Sequence, residues 1–228
     1  MIWWRKGKIR KLEDIKLSHH TIVLIWGDAM RLVQIVFLFA VAALLSGCGI
    51  NNVPTYQEAM KAKWSDVQNQ YQRRADLIPN LVETVKGYAA QEKDVLTAVV
   101  EARAKATQMT LPADIITNPE AFKKFQEAQG QLSGALGKLL SITEAYPDLK
   151  SNQNFLALQS QLEGTENRIS VSRRDYIEAV QVYNTELRTI PGRWWASWFY
   201  PDAKPAETFA AEPNAATPPK VDFNKPKV

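Results

Sequence analysis

The sequence predicts an all-α fold, an antiparallel up-and-down four-helix bundle. Apolar residues recur at steps of three and four over most of the chain, which places them on one face of successive helices. The apolar–polar alternation typical of strands does not occur, and glycine is rare, at 10 of 228 residues. Short turns join the helical segments, and short turns favour antiparallel neighbours.

The residues before the bundle have the layout of a secretory signal. Arg31 precedes a largely apolar run that ends at Leu45-Ser46-Gly47-Cys48. This ending resembles the bacterial lipobox, in which the peptidase cleaves before a lipidated cysteine. We therefore expect a leader over residues 1–47 and a lipid attached to Cys48.

The leader has two parts. Residues 30–47 form the predicted lipoprotein signal peptide, whereas residues 1–29 are an N-terminal extension that we do not expect to be translated. Trp26-Gly27-Asp28 requires guanine-rich codons just upstream of Met30, as a ribosome-binding site would. The hypothesis is that translation starts at Met30 and not at Met1.

Removal of the leader changes the charge and the available chemistry. Seven of the 28 Lys and Arg residues and three of the 24 Asp and Glu residues precede Cys48, so 21 of each remain. A neutral chain lacks the cationic surplus that nucleic-acid binding needs. Both histidines, His19 and His20, lie in the leader, and Cys48 is the single cysteine. We therefore expect no metal site, no cofactor and no catalytic residues of the His or Cys type.

A polar tether over residues 48–55 precedes the predicted bundle, which covers residues 56–192. Pro79 interrupts the first apolar stripe because proline lacks an N–H and clashes with the preceding turn, yet the phase of the stripe continues across it. Two helices and one helix kinked at Pro79 therefore both fit the pattern. The stripe consists of Tyr56, Met60, Trp64, Val67, Tyr71, Ile78, Leu81, Val82, Val85, Ala89, Leu96, Val99 and Ala106.

Two further helices follow. Asn118 is a predicted cap with Pro119 in the first helical position, and this helix ends at Tyr146-Pro147-Asp148. The last helix starts near Asn152 and stops at Pro191-Gly192. Their apolar stripes carry Phe122, Phe125, Leu132, Leu136, Leu139 and Leu140, then Phe155, Leu158, Leu162, Ile169, Tyr176, Val180, Tyr183, Leu187 and Ile190.

An aromatic segment over residues 193–200 and a tail over residues 201–228 complete the chain. The tail is predicted to be disordered because it has too few apolar residues to offset the entropy of ordering it. The aromatic segment either packs across the end of the bundle or contacts a membrane or a partner. Its candidate contact residues are Trp194, Trp195, Trp198 and Phe199.

Three polar residues occupy positions where the apolar spacing of the predicted helices is interrupted. Arg74, Glu166 and Arg173 are interpreted as a structural polar core, because a buried ion pair can fix the register of neighbouring helices. A ligand or partner site is the alternative interpretation.

Small residues share one face of the third helix, namely Gly130, Ser133, Gly134, Gly137 and Ser141. Each mid-helix glycine costs about 1 kcal/mol relative to alanine. We expect close helix packing within the bundle to offset this cost at Gly130, Gly134 and Gly137, and a self-association groove is the alternative.

Several runs resemble the LemA family of membrane-attached bacterial helical proteins. The resemblance spans residues 56–192 and implies a four-helix bundle in the cell envelope, without an established catalytic activity. After Pro191 the sequence departs from the Asn-Leu and Phe-Gly-Phe ending of the family. The matching runs are Arg73–Ala89, Leu132–Leu140, Glu144–Lys150, Asn154–Leu156 and Thr165–Ile169.

The predicted function is that of a non-enzymatic scaffold or adaptor for membrane and envelope components. The lipid on Cys48 would hold it to a membrane facing the periplasm, and Gly49, in place of a retaining aspartate, favours the outer membrane over the inner. Envelope proteins, including copies of the chain itself, are the expected partners. The alternatives are a glycan hydrolase that uses only carboxylates and a partner-binding module that regulates envelope proteolysis.

Overall fold

The computed structural model describes residues 30–42, 49–109 and 112–210, and every regular element in these ranges is helical. The chain divides into two compact units, Met1–Asn51 and Asn52–Val228. In the first unit, residues 30–42 form helix α1. Among the helices that could be assessed in the described ranges, none combines the length and the apolar character needed to cross a membrane. Cys48 and residues 1–29 lie outside the described residues, and so do the expectations that concern them.

The second unit confirms the all-α prediction over its described residues. The described residues of this unit form four long helices and two shorter ones. The up-and-down arrangement and the count of four helices therefore stay predictions. The helices are α2 (Asn52–Lys86), α3 (Lys93–Gln108), the 3₁₀ turn Ile115–Thr117, α4 (Pro119–Thr143), α5 (Pro147–Lys150), α6 (Gln153–Arg188) and α7 (Gly192–Phe199).

The long helices α2 and α6 form the most extensive contact, and α3 packs against α4 and α2. Their buried residues form two separate hydrophobic clusters. The first cluster joins the N-terminal half of α2 to the C-terminal half of α6 and to the start of α4. The second cluster joins the C-terminal half of α2 to α3, to the rest of α4 and to the start of α6. This pairing of opposite halves shows that α2 and α6 run antiparallel.

Helix α2 begins earlier than the sequence predicts. Asn52 is its first residue, so residues 52–55 are helical and the predicted tether over 48–55 is too long. Val53 is only 1 % exposed, and its burial favours this early start. Pro54 is compatible with it because a proline in the first turn has no helical hydrogen bond to lose.

Helix α2 also passes through Pro79 without ending, so the predicted interruption at Pro79 is wrong, but the stripe from Tyr56 to Ala106 is still divided between two helices, α2 and α3. The carbonyl of Ala75, which lies four residues before Pro79, cannot receive a helical hydrogen bond from the proline. Nε of Arg103 in α3 donates to this carbonyl at 2.8 Å instead. The break in the helix falls at residues 87–92, where the backbone turns toward α3.

We expect the Arg103 contact to depend on the proline. Arg103→Met should lower the free energy of unfolding by about 1–2 kcal/mol, because it leaves a half-buried carbonyl without its donor. In a Pro79→Ala background the loss should shrink, since the new N–H at position 79 can bond to Ala75 along the helix. Urea unfolding of the four variants of this double-mutant cycle measures the coupling. Strictly additive effects would contradict the compensation.

The predicted cap at Asn118 is confirmed, and Asn152, near which the last helix was predicted to start, caps α6 in the same way. The backbone N–H of Ala121 donates to Oδ1 of Asn118 at 3.1 Å, and that of Phe155 donates to Oδ1 of Asn152 at 3.0 Å. Each bond satisfies one of the amide groups that the first turn of a helix leaves without a partner.

The beginning of the C-terminal tail is ordered, so the prediction of disorder is wrong for residues 201–210. Ala206 and Phe209 are 6 % and 7 % exposed and belong to the first hydrophobic cluster. Asn184 binds both the N–H and the C=O of Ala206, each at 2.9 Å. The N–H of Glu207 donates to the carbonyl of Ile116 at 2.7 Å. Residues 211–228 lie outside the described residues.

Candidate functional site

A buried arginine connects three helices at the middle of the second unit. The side chain of Arg74 in α2 is 1 % exposed. Its Nη1 donates to Oγ of Ser133 at 2.7 Å and to Oε1 of Glu166 at 2.9 Å. Its Nη2 donates to Oε1 of Gln129 at 2.7 Å, and its guanidinium lies 5.0 Å from the ring centre of Tyr71. One cation thus contacts side chains of α4 and α6 as well as its own helix.

The residues around this cation form a polar layer between the two hydrophobic clusters. In α2, Arg74 lies between Tyr71 of the first cluster and Ile78 of the second. In α4, Gln129 lies between Phe125 and Leu132 of the same two clusters. A shift of either helix by one turn would remove the acceptors of the guanidinium and place it against apolar side chains. Because an unpaired buried charge is costly, the layer disfavours such shifts.

The structure does not bring Arg173 into this layer. The Arg173 guanidinium lies over the ring of Phe209, 4.3 Å from its centre, in a cation–π contact with the tail. Of the three residues interpreted as one polar core, Arg74 and Glu166 are paired and Arg173 serves a different contact.

Three buried tyrosines line the long helices. Burial raises the pKa of Tyr71, of Tyr176 and of Tyr183 above the ordinary phenol value, and the Arg173 and Arg74 cations oppose this rise at Tyr71. These hydroxyls therefore stay protonated at neutral pH. The hydroxyl of Tyr176 donates to the carbonyl of Glu207 in the tail at 2.8 Å.

Gly134 and Gly137 of α4 do not pack against a neighbouring helix, which corrects the expectation of close packing at these two positions. A Cβ atom built at Gly134 or at Gly137 would meet no atom within 4 Å. Both glycines are exposed, and Gly130 is half-buried. Ser133 of the same group is engaged, since its hydroxyl accepts a hydrogen bond from Arg74.

The aromatic segment forms α7, which packs on one side and is open on the other. Ala196 and Tyr200 contact the first hydrophobic cluster, and the indole of Trp195 is half-buried. Trp194, Trp198 and Phe199 are 49 %, 66 % and 55 % exposed. One side of this helix therefore packs on the first hydrophobic cluster, and the other side is exposed and available for a contact.

Three cavities are open on the described part of the second unit. One of about 320 Å³ lies between α2, α3 and α4 and is lined mainly by amide and apolar side chains, without a carboxylate. A second, of about 420 Å³ between α3 and α4, contains the single carboxylate of Glu127, and a third, of about 470 Å³, contains Glu178 and Glu186 of α6. These two glutamates are eight residues apart on one helix, so their backbones are separated by roughly 12 Å along its axis. None of these three cavities brings two carboxylates together across a cleft, as a glycan hydrolase would require.

Sequence reasoning missed two contributors to these contacts. Gln129 stands at an apolar position of α4, three residues before Leu132, and this break in the stripe was the signal that could have placed it beside Arg74. Phe209 is an aromatic residue in a tail of low apolar content, which marks it as an anchor for docking.

Comparisons with known proteins show which family and which proteins this sequence is similar to. The model of the LemA family matches residues 63–223, which extends beyond Pro191, where the resemblance in the sequence ended. Magnetosome proteins MamQ 1 and MamQ 2 of Paramagnetospirillum magneticum are each 28 % identical over 184 residues, covering 74 % of this chain and 67 % of the relative. Magnetosome protein MamQ of Magnetospirillum gryphiswaldense is 26 % identical with the same coverage.

Proposed function

This chain belongs to the LemA family, and we propose that it is a lipid-anchored scaffold or adaptor of the cell envelope that works by binding and not by catalysis. The lipid would be attached at Cys48, and the helical unit would face the periplasm, from the outer membrane in preference to the inner. The similarity to magnetosome proteins supports a role within a larger assembly.

The observation that carries this proposal is the braced pair of α2 and α6. With 35 and 36 residues, each helix is about 50 Å long, at 1.5 Å per residue. Nδ2 of Asn52 donates to Oε1 of Glu186 at 3.3 Å, so the start of α2 lies beside the end of α6. The Arg74–Glu166 pair joins the same two helices near their middle. A braced pair that begins four residues after the proposed anchor can hold binding surfaces at a set distance from a membrane.

The outer face of α4 is a surface that partners could use. Gly134 and Gly137 leave its backbone open, which permits the close approach of another helix. Lys138 is exposed beside them. We propose that an envelope protein or a second copy of this chain binds there.

Site-specific photo-crosslinking in intact envelopes tests the binding role. A photoreactive residue at Lys138 on α4 should give discrete protein adducts, whereas one at the exposed Lys61 on α2 serves as the matched control position. Indistinguishable adduct patterns at the two positions would argue against a specific contact on α4. Incorporation of labelled palmitate into the wild-type chain but not into Cys48→Ser tests the anchor separately.

A further inference from the structure

An aromatic surface remains uncovered on α7 and on the turn before it. Ile190, Trp194, Trp198 and Phe199 are 64 %, 49 %, 66 % and 55 % exposed. Single exposed apolar residues are common, but here four occur within ten residues, and clusters of exposed apolar side chains mark interaction sites. The second unit therefore presents a local apolar patch at the end of α6.

The patch lies at the end of the unit where the chain enters it. Gly192, the first residue of α7, is packed so closely on α6 that a Cβ atom there would lie 2.3 Å from the carbonyl oxygen of Glu186. The side chain of the same Glu186 accepts the hydrogen bond from Asn52. The start of α2 and the start of α7 thus meet at one residue.

This position ties the patch to the proposed anchor. Cys48 precedes Asn52 by four residues, and four residues of extended chain span at most about 14 Å. A lipid on Cys48 is therefore attached close to Asn52, and the end of the unit that carries α7 is the end nearest to the membrane.

The composition around the patch suits a lipid surface. Tryptophan is enriched where membranes meet water, because its ring is apolar and its N–H is polar. Arg188 and Arg193 are exposed near the aromatic residues in the sequence, and the stretch between Leu187 and Pro201 contains no acidic residue, although Glu186 and Asp202 flank it. Exposed arginines near a membrane are attracted to anionic headgroups.

We propose that the exposed face of α7, formed by Trp194, Trp198 and Phe199 together with Ile190, inserts into the headgroup region of the membrane that holds the lipid anchor. This inference rests on the proposed anchoring at Cys48. A second contact beside the lipid fixes the orientation of the helical unit, which a lipid on a tether of four residues does not do alone.

A fluorescent label on α7 tests the insertion. Because Cys48 is the single cysteine, an acylated wild-type chain should take up no thiol label, and Ser197→Cys should take up one. Ser197 is exposed on α7, so this variant keeps all the aromatic residues. The full chain with an environment-sensitive label at position 197 is reconstituted in vesicles of phosphatidylethanolamine and phosphatidylglycerol.

The expected result is a blue-shifted emission that brominated phospholipids quench about twofold or more, as for a probe at the boundary of headgroups and acyl chains. Adding Trp198→Ser and Phe199→Ser should abolish most of this quenching. The matched control is Val100→Cys on α3, a site 50 % exposed, which should stay unquenched.

The outcomes separate the two proposals. Emission from position 197 that resembles the Val100→Cys control, without quenching, would overturn the insertion. Energy transfer between labelled copies in place of lipid quenching would also overturn it, because a second copy would then cover the patch. Labelling of the wild-type chain at Cys48 would instead refute the anchor, whatever the result at α7.

Discussion

Glu166→Ala is expected to lower the free energy of unfolding by about 3 kcal/mol, because it leaves a buried cation without its counter-charge. The side chain of Arg74 is 1 % exposed, whereas that of Glu166 is 42 % exposed. Removal of the carboxylate therefore affects the group that water cannot reach, and Gln129 and Ser133 then supply neutral acceptors only. Urea unfolding of the detergent-solubilised full chain measures the loss.

Two further variants make this test specific. Arg74→Met combined with Glu166→Ala should be more stable than Glu166→Ala alone, because the double variant removes both charges and keeps an apolar side chain of similar length. Glu178→Ala, at an exposed position of the same helix, should change stability by less than about 0.5 kcal/mol. If Glu166→Ala behaves like Glu178→Ala, the ion pair does not stabilise the fold.

Local signals in the sequence predicted the parts of the fold that local interactions decide. Asn118 followed by Pro119 specifies the start of α4, because the cap and the fixed φ of proline act within one turn. The polar layer was only half predictable. Arg74 and Glu166 interrupt the apolar spacing of their helices, which the sequence shows. Their hydrogen-bonded contact with Gln129 and Ser133 depends on the packing of three helices.

The outward direction of the glycines on α4 could have been deduced from the sequence. Gly134 lies two residues after the buried Leu132, which corresponds to a rotation of about 200° around a helix. Gly134 therefore lies opposite the apolar stripe. The position of Pro79 inside α2, in contrast, could not have been deduced. The donor that replaces the missing N–H of the proline comes from Arg103 in another helix, and no local sequence pattern predicts this contact.

The tail shows how a few contacts can order a segment of low apolar content. The centre of the Phe209 ring lies 5.1 Å from the ring centre of Phe122, 5.7 Å from that of Tyr176 and 6.2 Å from that of Trp64. Composition averages over a segment and does not register one side chain that fits an aromatic pocket. Hydrogen bonds from Asn184, Tyr176 and Gln126 to tail carbonyls then satisfy the backbone.

Phe209→Ala is expected to lower the free energy of unfolding by about 3–4 kcal/mol, the usual cost of truncating a buried phenylalanine. The ring is 7 % exposed, and its loss also removes the cation–π contact with Arg173. Because residues 201–210 form no helix, part of the loss should appear as local undocking of these residues. Urea unfolding measures the total loss, and hydrogen exchange at the Glu207 amide measures the undocking.

Local undocking also limits the loss of unfolding free energy, and hydrogen exchange can distinguish it from global unfolding. Once the tail detaches, further substitutions in it cannot destabilise the helices, so the total loss is bounded by the free energy of docking. Exchange of the Glu207 amide should therefore accelerate far more than exchange of amides in the middle of α2. Thr208→Ala, at the exposed neighbouring position, should leave both rates unchanged. Equal acceleration throughout the unit after Phe209→Ala would mean that the tail unfolds only together with the helices.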